Sequence, residues 1–372
     1  MKRIVIIGGG FSGLAAAAYL KKYKEQVEVV LIDRKKETVF LPLLPDILSC
    51  RINYEFLSAE LAVLAEKFSF KFIHGCVSGI DLKENKVSFA EENIYYDYLI
   101  IAAGSQTNFY NNIPLSKSAF KLDDIEDAKI ILNNLDSDEF DTFVISGGGY
   151  TGIEIATNIH RYFIRKRKTK KIIIIEKSKK FLGLVPEYMR EYVINNLSAL
   201  GVEMRVDSEV ESALENKVVL KNKECFDKAM LIWAAGVKAQ DFLKNITADV
   251  DSQGRIFVDE YLRLSNNCFC CGDTAHFKQD PAALRMSVQF AIMQGETAAM
   301  NVIRNMDKLT FLKYSPRDLG YIIPMANNKA CGIVLGFKVK GFLAVKLHYL
   351  MCIFRSVTLK NKLGIISNLL NR

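Results

Sequence analysis

The sequence lacks the features that identify several classes of protein. No apolar run reaches the roughly 18 to 20 residues that span a bilayer, so we expect no membrane-spanning helix. Its 4 histidines are scattered and suggest no metal site, and its 8 cysteines form no regular framework, which is typical of a reducing compartment. What remains is a globular chain of 372 residues, long enough for two or three domains.

Positive charge is concentrated near the C-terminal end. The net charge is +8, the last acidic residue is Asp318, and residues 319–372 contain eight basic side chains. The first 318 residues are therefore neutral by the same count. A local basic excess indicates one anionic partner surface, and we expect no nucleic-acid partner.

The first 33 residues read as strand, glycine-rich turn, helix and strand. Gly8, Gly10 and Gly13 have the spacing of a dinucleotide-binding turn, in which the first makes a tight bend, the second admits a pyrophosphate and the third lets the helix pack closely. Asp33 ends the second strand, where a carboxylate can accept hydrogen bonds from ribose hydroxyls. This context predicts a nucleotide site.

The same pattern recurs at residues 143–176. Gly147, Gly149 and Gly152 repeat the glycine spacing, and Glu176 ends the second strand as an acid. Two such units predict two different dinucleotides. The carboxylate of Glu176 favours a free ribose 2′-OH, and hence NADH over NADPH, while the lysines that follow it leave tolerance of a 2′-phosphate open.

Small residues end two further buried strands, at Ala103-Gly104 and at Gly236, and leave room for a ligand at the sheet edge. Glu154 follows the second glycine turn, and we place it in the first turn of the helix. Either it interacts with the positive helix end, which contributes about 0.3 to 1 kcal/mol, or its carboxylate reaches a nicotinamide ring. The cysteines at 268–271 are interpreted as core packing on one strand.

Residues 341–357 predict an amphipathic helix with an apolar stripe, and a second short apolar run follows at 363–370. Neither run can span a bilayer, so we expect a monotopic anchor on an anionic membrane. The alternative is a helix pair packed on the body or on a second copy of the chain. An apolar loop at 39–45 can cover a flat ring or simply pack on the surface, and residues 54–67 predict a helix.

Together these elements resemble the two-dinucleotide flavoprotein reductases and, within them, the type II NADH dehydrogenases, the single-subunit, non-pumping NADH:quinone oxidoreductases. The resemblance spans nearly the whole chain. It is carried by Phe40-Leu-Pro42-Leu-Leu44, Gly147-Gly-Gly-Tyr-Thr-Gly-Ile-Glu154, Val288-Gln289-Phe-Ala-Ile-Met-Gln294-Gly295, and a tail with Gly341-Phe-Leu-Ala and Lys360-Asn-Lys-Leu363.

The resemblance implies an α/β fold with two Rossmann-like domains and a C-terminal membrane-associating helical region. The FAD domain would comprise residues 1–110 and 237–312, the NADH domain 111–236, and the membrane region 313–372. The implied partners are a membrane quinone, the cytoplasmic face of the cell membrane and, through the same tail, a second copy of the chain.

The resemblance also implies site residues. Glu154, Gln289 and Gln294 would be catalytic, although Met293 stands where the family has a glutamine, so that one amide donor to a quinone carbonyl is lost. No metal is implied, and only Cys50 stands where disulfide reductases carry a Cys-x4-Cys. The implied cofactor-binding residues are Gly8, Gly10, Phe11, Ser12, Gly13, Asp33, Arg34, Pro42, Leu43, Val77, Ala103, Gly104, Gly149, Tyr150, Thr151, Gly152, Glu176, Gly236, Gly272 and Asp273.

Two other functions remain open from the sequence. A sulfide:quinone oxidoreductase shares the fold but needs cysteines close to the flavin, for which Cys331 and one of the 268–271 group are the candidates. A flavoprotein that binds NADH in a regulatory role, without turnover, is the other.

Overall fold

The computed structural model describes residues 1–183, 185–277 and 285–370. Within it the chain divides into two compact units, each assembled from three segments. The first unit comprises Met1–Thr38, Ala59–Gln106 and Val237–Asp318, and the second comprises Val39–Ser58, Thr107–Gly236 and Leu319–Arg372. The three-part division predicted from the sequence stays a prediction.

Strands outnumber helices in the described chain. The strands are, in chain order, β1 (Lys2–Ile7), β2 (Val27–Asp33), β3 (Glu37–Val39), β4 (Ser58–Glu60), β5 (Lys71–His74), β6 (Val77–Asp81), β7 (Lys86–Phe89), β8 (Glu92–Tyr95), β9 (Tyr98–Ile101), β10 (Ser105–Thr107), β11 (Thr142–Ser146), β12 (Lys171–Ile175), β13 (Glu203–Arg205), β14 (Val210–Leu214), β15 (Lys217–Leu220), β16 (Cys225–Phe226), β17 (Ala229–Trp233), β18 (Val237–Ala239), β19 (Ile256–Val258), β20 (Arg263–Ser265), β21 (Cys268–Cys270), β22 (Ala275–Phe277), β23 (Gly320–Met325), β24 (Lys329–Val334) and β25 (Phe337–Lys340).

The α-helices are α1 (Phe11–Leu20), α2 (Leu61–Phe68), α3 (Ile113–Ser118), α4 (Ile125–Leu135), α5 (Tyr150–Lys166), α6 (Glu187–Ala199), α7 (Val288–Met306), α8 (Gly341–Arg355) and α9 (Leu359–Leu370). Searched over the described residues, no helix is both long enough and apolar enough to cross a membrane.

The first unit is organised on one sheet with the strand order β20-β21-β9-β1-β2-β5. Its four inner pairings are parallel, and only β20 runs antiparallel to its neighbour. The apolar run of β1 is buried from Ile4 to Ile7, as expected of a parallel strand whose two faces are both covered. The carboxyl ends of β1 and β9 therefore meet at one edge of the sheet, where the first glycine turn begins.

The second unit repeats this arrangement on a parallel sheet of order β13-β12-β11-β17. Two antiparallel sheets, β14-β15-β16 and β23-β24-β25, belong to the same unit. Helix α8 packs on β24 and buries Ala344, Val345, Tyr349 and Cys352. The α/β class predicted from the sequence is confirmed, and the helices expected in the tail are present as α8 and α9.

The helix predicted at 54–67 is wrong in its first half. Residues Tyr54–Phe56 form a single 3-10 turn and α2 begins only at Leu61. Glu60 is extended, with φ −63° and ψ 128°, and the Leu61 amide donates to the carbonyl of Lys36 at 2.8 Å. Backbone pairing thus overrides the helix-forming composition of this segment.

Helices α1 and α7 of the first unit pack with their backbones in close approach. A Cβ atom added to Gly295 of α7 would lie 2.1 Å from the carbonyl oxygen of Ser12 in α1. The Ser12 hydroxyl donates to the carbonyl of Ala291 at 2.8 Å, which ties the two helices at the same level. Since the obstacle is backbone, a side chain at 295 cannot be accommodated by a rotamer change.

We therefore expect Gly295→Ala to lower the free energy of unfolding by about 2 kcal/mol or more, because overpacking against backbone forces the helices apart. Chemical denaturation of the first unit measures this change. Gly79→Ala is the matched control, since its Cβ would meet nothing within 4 Å. Equal stability of the two variants would contradict the close-approach interpretation.

Candidate functional site

The first glycine turn requires glycine at two of its three positions, because a Cβ atom there would clash with nearby backbone. Gly8 has φ +105°, and a Cβ there would lie 2.3 Å from the carbonyl oxygen of Ala102 at the end of β9. At Gly13 a Cβ would lie 1.9 Å from the carbonyl oxygen of Gly8. At Gly10 it would meet nothing within 4 Å. Glycine at position 10 therefore leaves open space beside the start of α1, which suits a pyrophosphate against the helix N–H groups.

Asp33 holds this turn in shape. Its Oδ2 accepts a hydrogen bond from the Gly9 amide at 2.6 Å, and its Oδ1 accepts one from the Lys35 amide at 2.7 Å. Each carboxylate oxygen can accept more than one hydrogen bond, so ribose hydroxyls can still bind. The acid predicted from its position at the strand end thus also orders the loop.

Gly272 and Asp273 lie against α1 of the same unit. Gly272 has φ +70°, and a Cβ there would lie 2.4 Å from the Ser12 hydroxyl oxygen. The Gly272 amide donates to Oε1 of Gln294 at 2.7 Å, and the Ser105 hydroxyl donates to Asp273 at 2.8 Å. Burial raises the pKa of the Asp273 carboxyl, against the Ser105 hydrogen bond and the Arg255 charge.

These features fit the flavin nucleotide that the resemblance implies. The turn at Gly8, the open space at Gly10, the start of α1 and the small residues Ala103 and Gly104 converge at the carboxyl edge of the first sheet. Asp273 adds a hydrogen-bonding carboxyl beside α1. Val77, by contrast, is 6% exposed and lies in the hydrophobic core of the unit. Phe11 is half-buried and Arg34 is exposed.

The second glycine turn repeats the first in atomic detail. Gly147 has φ +114°, and its Cβ would lie 2.5 Å from the carbonyl oxygen of Ala234. A Cβ at Gly152 would lie 1.9 Å from the carbonyl oxygen of Gly147, and one at Gly149 would meet nothing within 4 Å. This turn therefore offers the same open space at the start of α5, whose first residues are the half-buried Tyr150 and the exposed Thr151.

Glu176 has the same role in the second unit as Asp33 has in the first. Its Oε2 accepts a hydrogen bond from the Gly148 amide at 2.7 Å, and its Oε1 accepts from the Ser178 amide at 2.7 Å and hydroxyl at 2.6 Å. The lysine that follows, Lys177, forms an ion pair with Glu209 at 3.2 Å. The ammonium group of Lys177 is therefore paired with Glu209 and is less available to bind a 2′-phosphate.

Gly236 closes the edge of the second sheet with φ +133°. A Cβ there would lie 2.4 Å from the hydroxyl of Tyr110, which donates to the carbonyl of Ala235 at 2.8 Å. Sequence reasoning missed Tyr110, because it lies outside both glycine-rich motifs. The available signal was the aromatic pair Phe109-Tyr110 with asparagines on both sides.

Glu154 lies in α5 beyond the first turn, since the helix begins at Tyr150. The predicted position at the helix end is therefore wrong. Its carboxyl has a pKa raised to about 8 by burial and, secondly, by the negative charge of Asp46. A helix N-terminus would stabilise the ionised form, so the raised pKa argues against that explanation.

The Pro-Leu loop belongs to the second unit. Leu43 is fully buried, Pro42 is half-buried, and Leu41 is 49% exposed. Of the two predicted residues, Leu43 therefore packs inward, and the loop presents Leu41 and Pro42 at its surface.

The two predicted quinone-side glutamines are both buried in the first unit. Gln294 accepts from Gly272 as described above, and Gln289 donates to Asp318 at 2.9 Å. Met293 is partly buried against the hydrophobic core of this unit. The amide oxygen of Gln294 thus orders the flavin-side turn, which sequence reasoning did not foresee.

No group of His, Cys, Asp and Glu side chains among the described residues could hold a metal ion. All eight cysteines are free thiols. Cys268, Cys270 and Cys271 are fully buried, and burial raises the pKa of each thiol. The core-packing interpretation of this group agrees with these positions.

The raised pKa of Glu154 predicts a pH-dependent stability. Between about pH 4.5 and 8 the native chain keeps a proton that the unfolded chain has released, so stability falls as pH rises and the loss is complete above about 8. Glu154→Gln removes this loss. We expect it to stabilise the second unit at pH 9 by about 1 kcal/mol or more relative to pH 5.

Thermal unfolding at the two pH values measures this effect. The exposed Glu66→Gln in α2 is the control, and its difference from the wild-type chain should be the same at both. If the stability difference between Glu154→Gln and the wild-type chain is also the same at both pH values, Glu154 is ionised at neutral pH.

Comparison with known proteins places the chain among nicotinamide-dependent flavoproteins. The profile of the pyridine nucleotide-disulphide oxidoreductase family matches residues 2–295. The demethylphylloquinone reductase of Synechocystis is 26% identical, over 100% of this chain and 96% of its own length. The type II NADH:quinone oxidoreductase of Staphylococcus haemolyticus is 24% identical, over 91% of each chain.

Among solved structures, the NDH2 protein of Plasmodium falciparum in complex with NADH superposes with a TM-score of 0.88 at 16% identity, covering 100% of this chain and 98% of that one. At this identity the match shows the fold. These comparisons confirm the resemblance to type II NADH dehydrogenases that the motifs indicated. Because the family profile covers most of its length, the chain belongs to the pyridine nucleotide-disulphide oxidoreductase family.

Proposed function

We propose that the chain is a non-proton-pumping NADH:quinone oxidoreductase, which passes hydride from NADH to FAD and two electrons on to a membrane quinone. The observation that carries the proposal is the presence of two glycine-rich cradles in one chain, each ordered by an acid at a strand end, with a protonatable glutamate beyond the second. The names of the relatives support the same reaction.

FAD is assigned to the first unit. The N–H groups at the start of α1 bind the pyrophosphate beside Gly10, and Asp33 accepts hydrogen bonds from the adenosine ribose. Asp273, held between Ser105 and α1, binds the ribitol side. Gln294 keeps Gly272 in its left-handed conformation by accepting a hydrogen bond from its amide.

NADH is assigned to the second unit. Amides at the start of α5 bind its pyrophosphate beside Gly149, and Glu176 accepts hydrogen bonds from the ribose. A 2′-phosphate would bring negative charge against the Glu176 carboxylate, so NADPH is disfavoured. Glu154 provides a carboxyl that is protonated at neutral pH beside the nicotinamide. Gln289 remains a prediction for the quinone side.

Thiol chemistry is disfavoured by the state of the cysteines. A sulfide:quinone oxidoreductase needs reactive thiolates, whereas burial raises the pKa of Cys271 and of Cys331 to about 12. Both are therefore protonated at neutral pH. Cys331 is also directed at the carbonyl of Met189, with the sulfur 3.8 Å away.

The C-terminal helices present an apolar surface that suits a membrane. Helix α8 buries one side on β24, and α9 is fastened by Asn361, whose amide donates to the carbonyls of Phe56 and Ser58 at 2.8 Å each. On the other side, apolar side chains are 57 to 80% exposed, namely Phe342, Leu343, Leu350, Phe354, Leu359, Leu363 and Leu370. We call these seven side chains the apolar face.

Basic residues border the apolar face. The Lys346 ammonium lies 4.7 Å from the ring centroid of Phe342, and that of Lys362 lies 5.9 Å from the ring centroid of Phe354. Near an anionic leaflet each such cation contributes about 1 kcal/mol. Monotopic attachment at the cytoplasmic side, where a quinone can enter from the lipid, follows as part of the proposal.

The proposed reaction is tested by its two halves. Under anaerobic conditions NADH should bleach the bound flavin, faster than NADPH does, and added menaquinone or ubiquinone should restore the oxidised spectrum. Glu176→Gln should narrow the preference for NADH, because it removes the charge opposed to the 2′-phosphate. Stopped-flow absorbance measures both steps.

Glu203→Gln, which removes a carboxylate from the neighbouring strand β13, is the control and should leave the nucleotide preference unchanged. A colourless folded chain that takes up no FAD would refute the first half. Bleaching by NADH without reoxidation by any quinone would refute the second, and would favour a regulatory NADH-binding flavoprotein.

Membrane attachment is tested by replacing two residues of the apolar face. Leu350→Gln with Phe354→Gln should weaken binding to vesicles that contain phosphatidylglycerol by at least about tenfold, because two large apolar groups no longer enter the lipid. Co-sedimentation measures the bound fraction. Binding of the unmodified chain should fall as salt is raised.

The matched control is Ile164→Gln with Leu214→Gln, which changes two apolar side chains that are 63% and 65% exposed outside the tail. If both double variants bind the vesicles as tightly as the unmodified chain, the tail is not the anchor.

A further inference from the structure

A buried polar cluster surrounds Asp46 in the second unit. Asp46 follows the Pro-Leu loop in a 3-10 turn, Pro45–Ile47, that packs on α5, and it is 4% exposed. Tyr349 of α8, 6% exposed, donates its hydroxyl proton to Oδ1 of Asp46 at 2.6 Å. The two residues are 303 positions apart in the sequence. Three segments of the unit thus converge on one carboxyl group.

Two arginines lie near this pair. The guanidinium of Arg51 lies 4.8 Å from the ring centroid of Tyr349 and donates to Asn328 at 3.0 Å. Arg161 of α5 donates to the carbonyl of Ala326 at 2.9 Å. Within the described part of the chain neither arginine forms an ion pair with Asp46. Their positive charges therefore act on Asp46 through the protein rather than by direct contact.

Glu154 is the second carboxyl of the cluster, and its surroundings differ. In the described chain no side chain or backbone group donates a hydrogen bond to its carboxyl, whereas Asp46 has the Tyr349 hydroxyl. The turn that carries Asp46 packs on α5, the helix that carries the half-buried Glu154. The pKa of the Cys352 thiol on α8 is raised by burial and then by both acids. Two like charges in one poorly solvated region disfavour ionisation of both groups.

We propose that Asp46 is a positioning residue for Glu154: held as an anion by Tyr349 and the two arginines, it keeps the single proton of this carboxyl pair on the half-buried Glu154. The proposal rests on the proposed function, because it gives that proton a use. NADH, one proton from solvent and the quinone yield NAD⁺ and the quinol, and hydride carries both electrons but only one of the two protons. Glu154 can release the other and regain it from solvent.

Burial raises the pKa of both carboxyls. For Asp46 this rise is opposed by the Tyr349 hydrogen bond and by the charges of Arg51 and Arg161, although the pKa remains above its usual value. For Glu154 burial and the charge of Asp46 both raise the pKa, to about 8. Other titratable groups around the pair include His348, Cys352 and Arg355 of α8, and Arg165 of α5, which donates to the carbonyl of Ser49 at 3.0 Å. His348 is kept neutral by burial and by Arg51, with its pKa lowered to about 4.

The test is an infrared titration of the FAD-loaded full chain, without NADH or quinone. The carboxylic C=O band of Glu154 is assigned by its loss in Glu154→Gln. In Asp46→Asn the asparagine oxygen can still accept from Tyr349, so the fold is kept while the charge is removed. We expect the midpoint of the Glu154 band to move to lower pH by about one unit or more. Tyr349→Phe should move it the same way, since Asp46 then competes for the proton.

Asp136→Asn is the matched control. Asp136 accepts a hydrogen bond from the hydroxyl of Tyr162, also on α5, at 2.5 Å. The variant therefore removes the same kind of group, a carboxylate bound by a tyrosine hydroxyl. In this variant the Glu154 band should have the same titration midpoint as in the wild-type chain. In turnover with NADH and quinone, the alkaline limb of the kcat profile should shift with Asp46→Asn by the same amount as the band.

An unchanged midpoint in both Asp46→Asn and Tyr349→Phe would overturn the proposal, as would a wild-type chain with no protonated Glu154 at neutral pH. Should Asp46→Asn not fold, Tyr349→Phe decides alone. The titration needs no turnover. A chain that titrates as expected and yet reduces no quinone would therefore refute the proposed function while supporting the carboxyl pair.

Discussion

Close contact between the third glycine of each turn and the carbonyl of the first sets the geometry of both units. In each, a Cβ at the third glycine would lie 1.9 Å from that carbonyl oxygen, at Gly13 against Gly8 and at Gly152 against Gly147. The helix can therefore start close against the turn that follows the strand. The nucleotide sites, the acids at the strand ends and the placement of Glu154 all depend on this backbone approach.

Ordering of the turn by an acid is the second shared constraint. Asp33 and Glu176 each accept a hydrogen bond from the backbone amide of the residue after the first glycine, at 2.6 and 2.7 Å. A carboxylate at this point thus has two roles, since it fixes the loop before any ligand binds and still has acceptor sites for a ribose. Substituting either acid would disturb the turn as well as the nucleotide, which is why Glu176→Gln, close in shape, is more informative than a truncation.

Local patterns in the sequence were sufficient to predict the two nucleotide-binding units, because β1, α1 and β2 and their repeats are encoded by contiguous residues and glycine spacing. The start of α2 was missed, because pairing of Leu61 with Lys36 decides it and composition does not. Glu154 was placed in the first turn because the helix start at Tyr150 depends on the extended conformation of Gly149. Asp46 and Tyr349 were missed altogether, since residues 303 positions apart leave no local signal.

The exposed thiols are divided between the two units. Five cysteines are buried, Cys50 is half-buried, and only Cys76 and Cys225 are exposed. Cys76 belongs to the first unit and Cys225 to the second. A maleimide spin label would therefore attach mainly once to each unit of the natural chain. The spectrum of each label would report on the surroundings of its own unit as nucleotide is added, with no cysteine removed from the core.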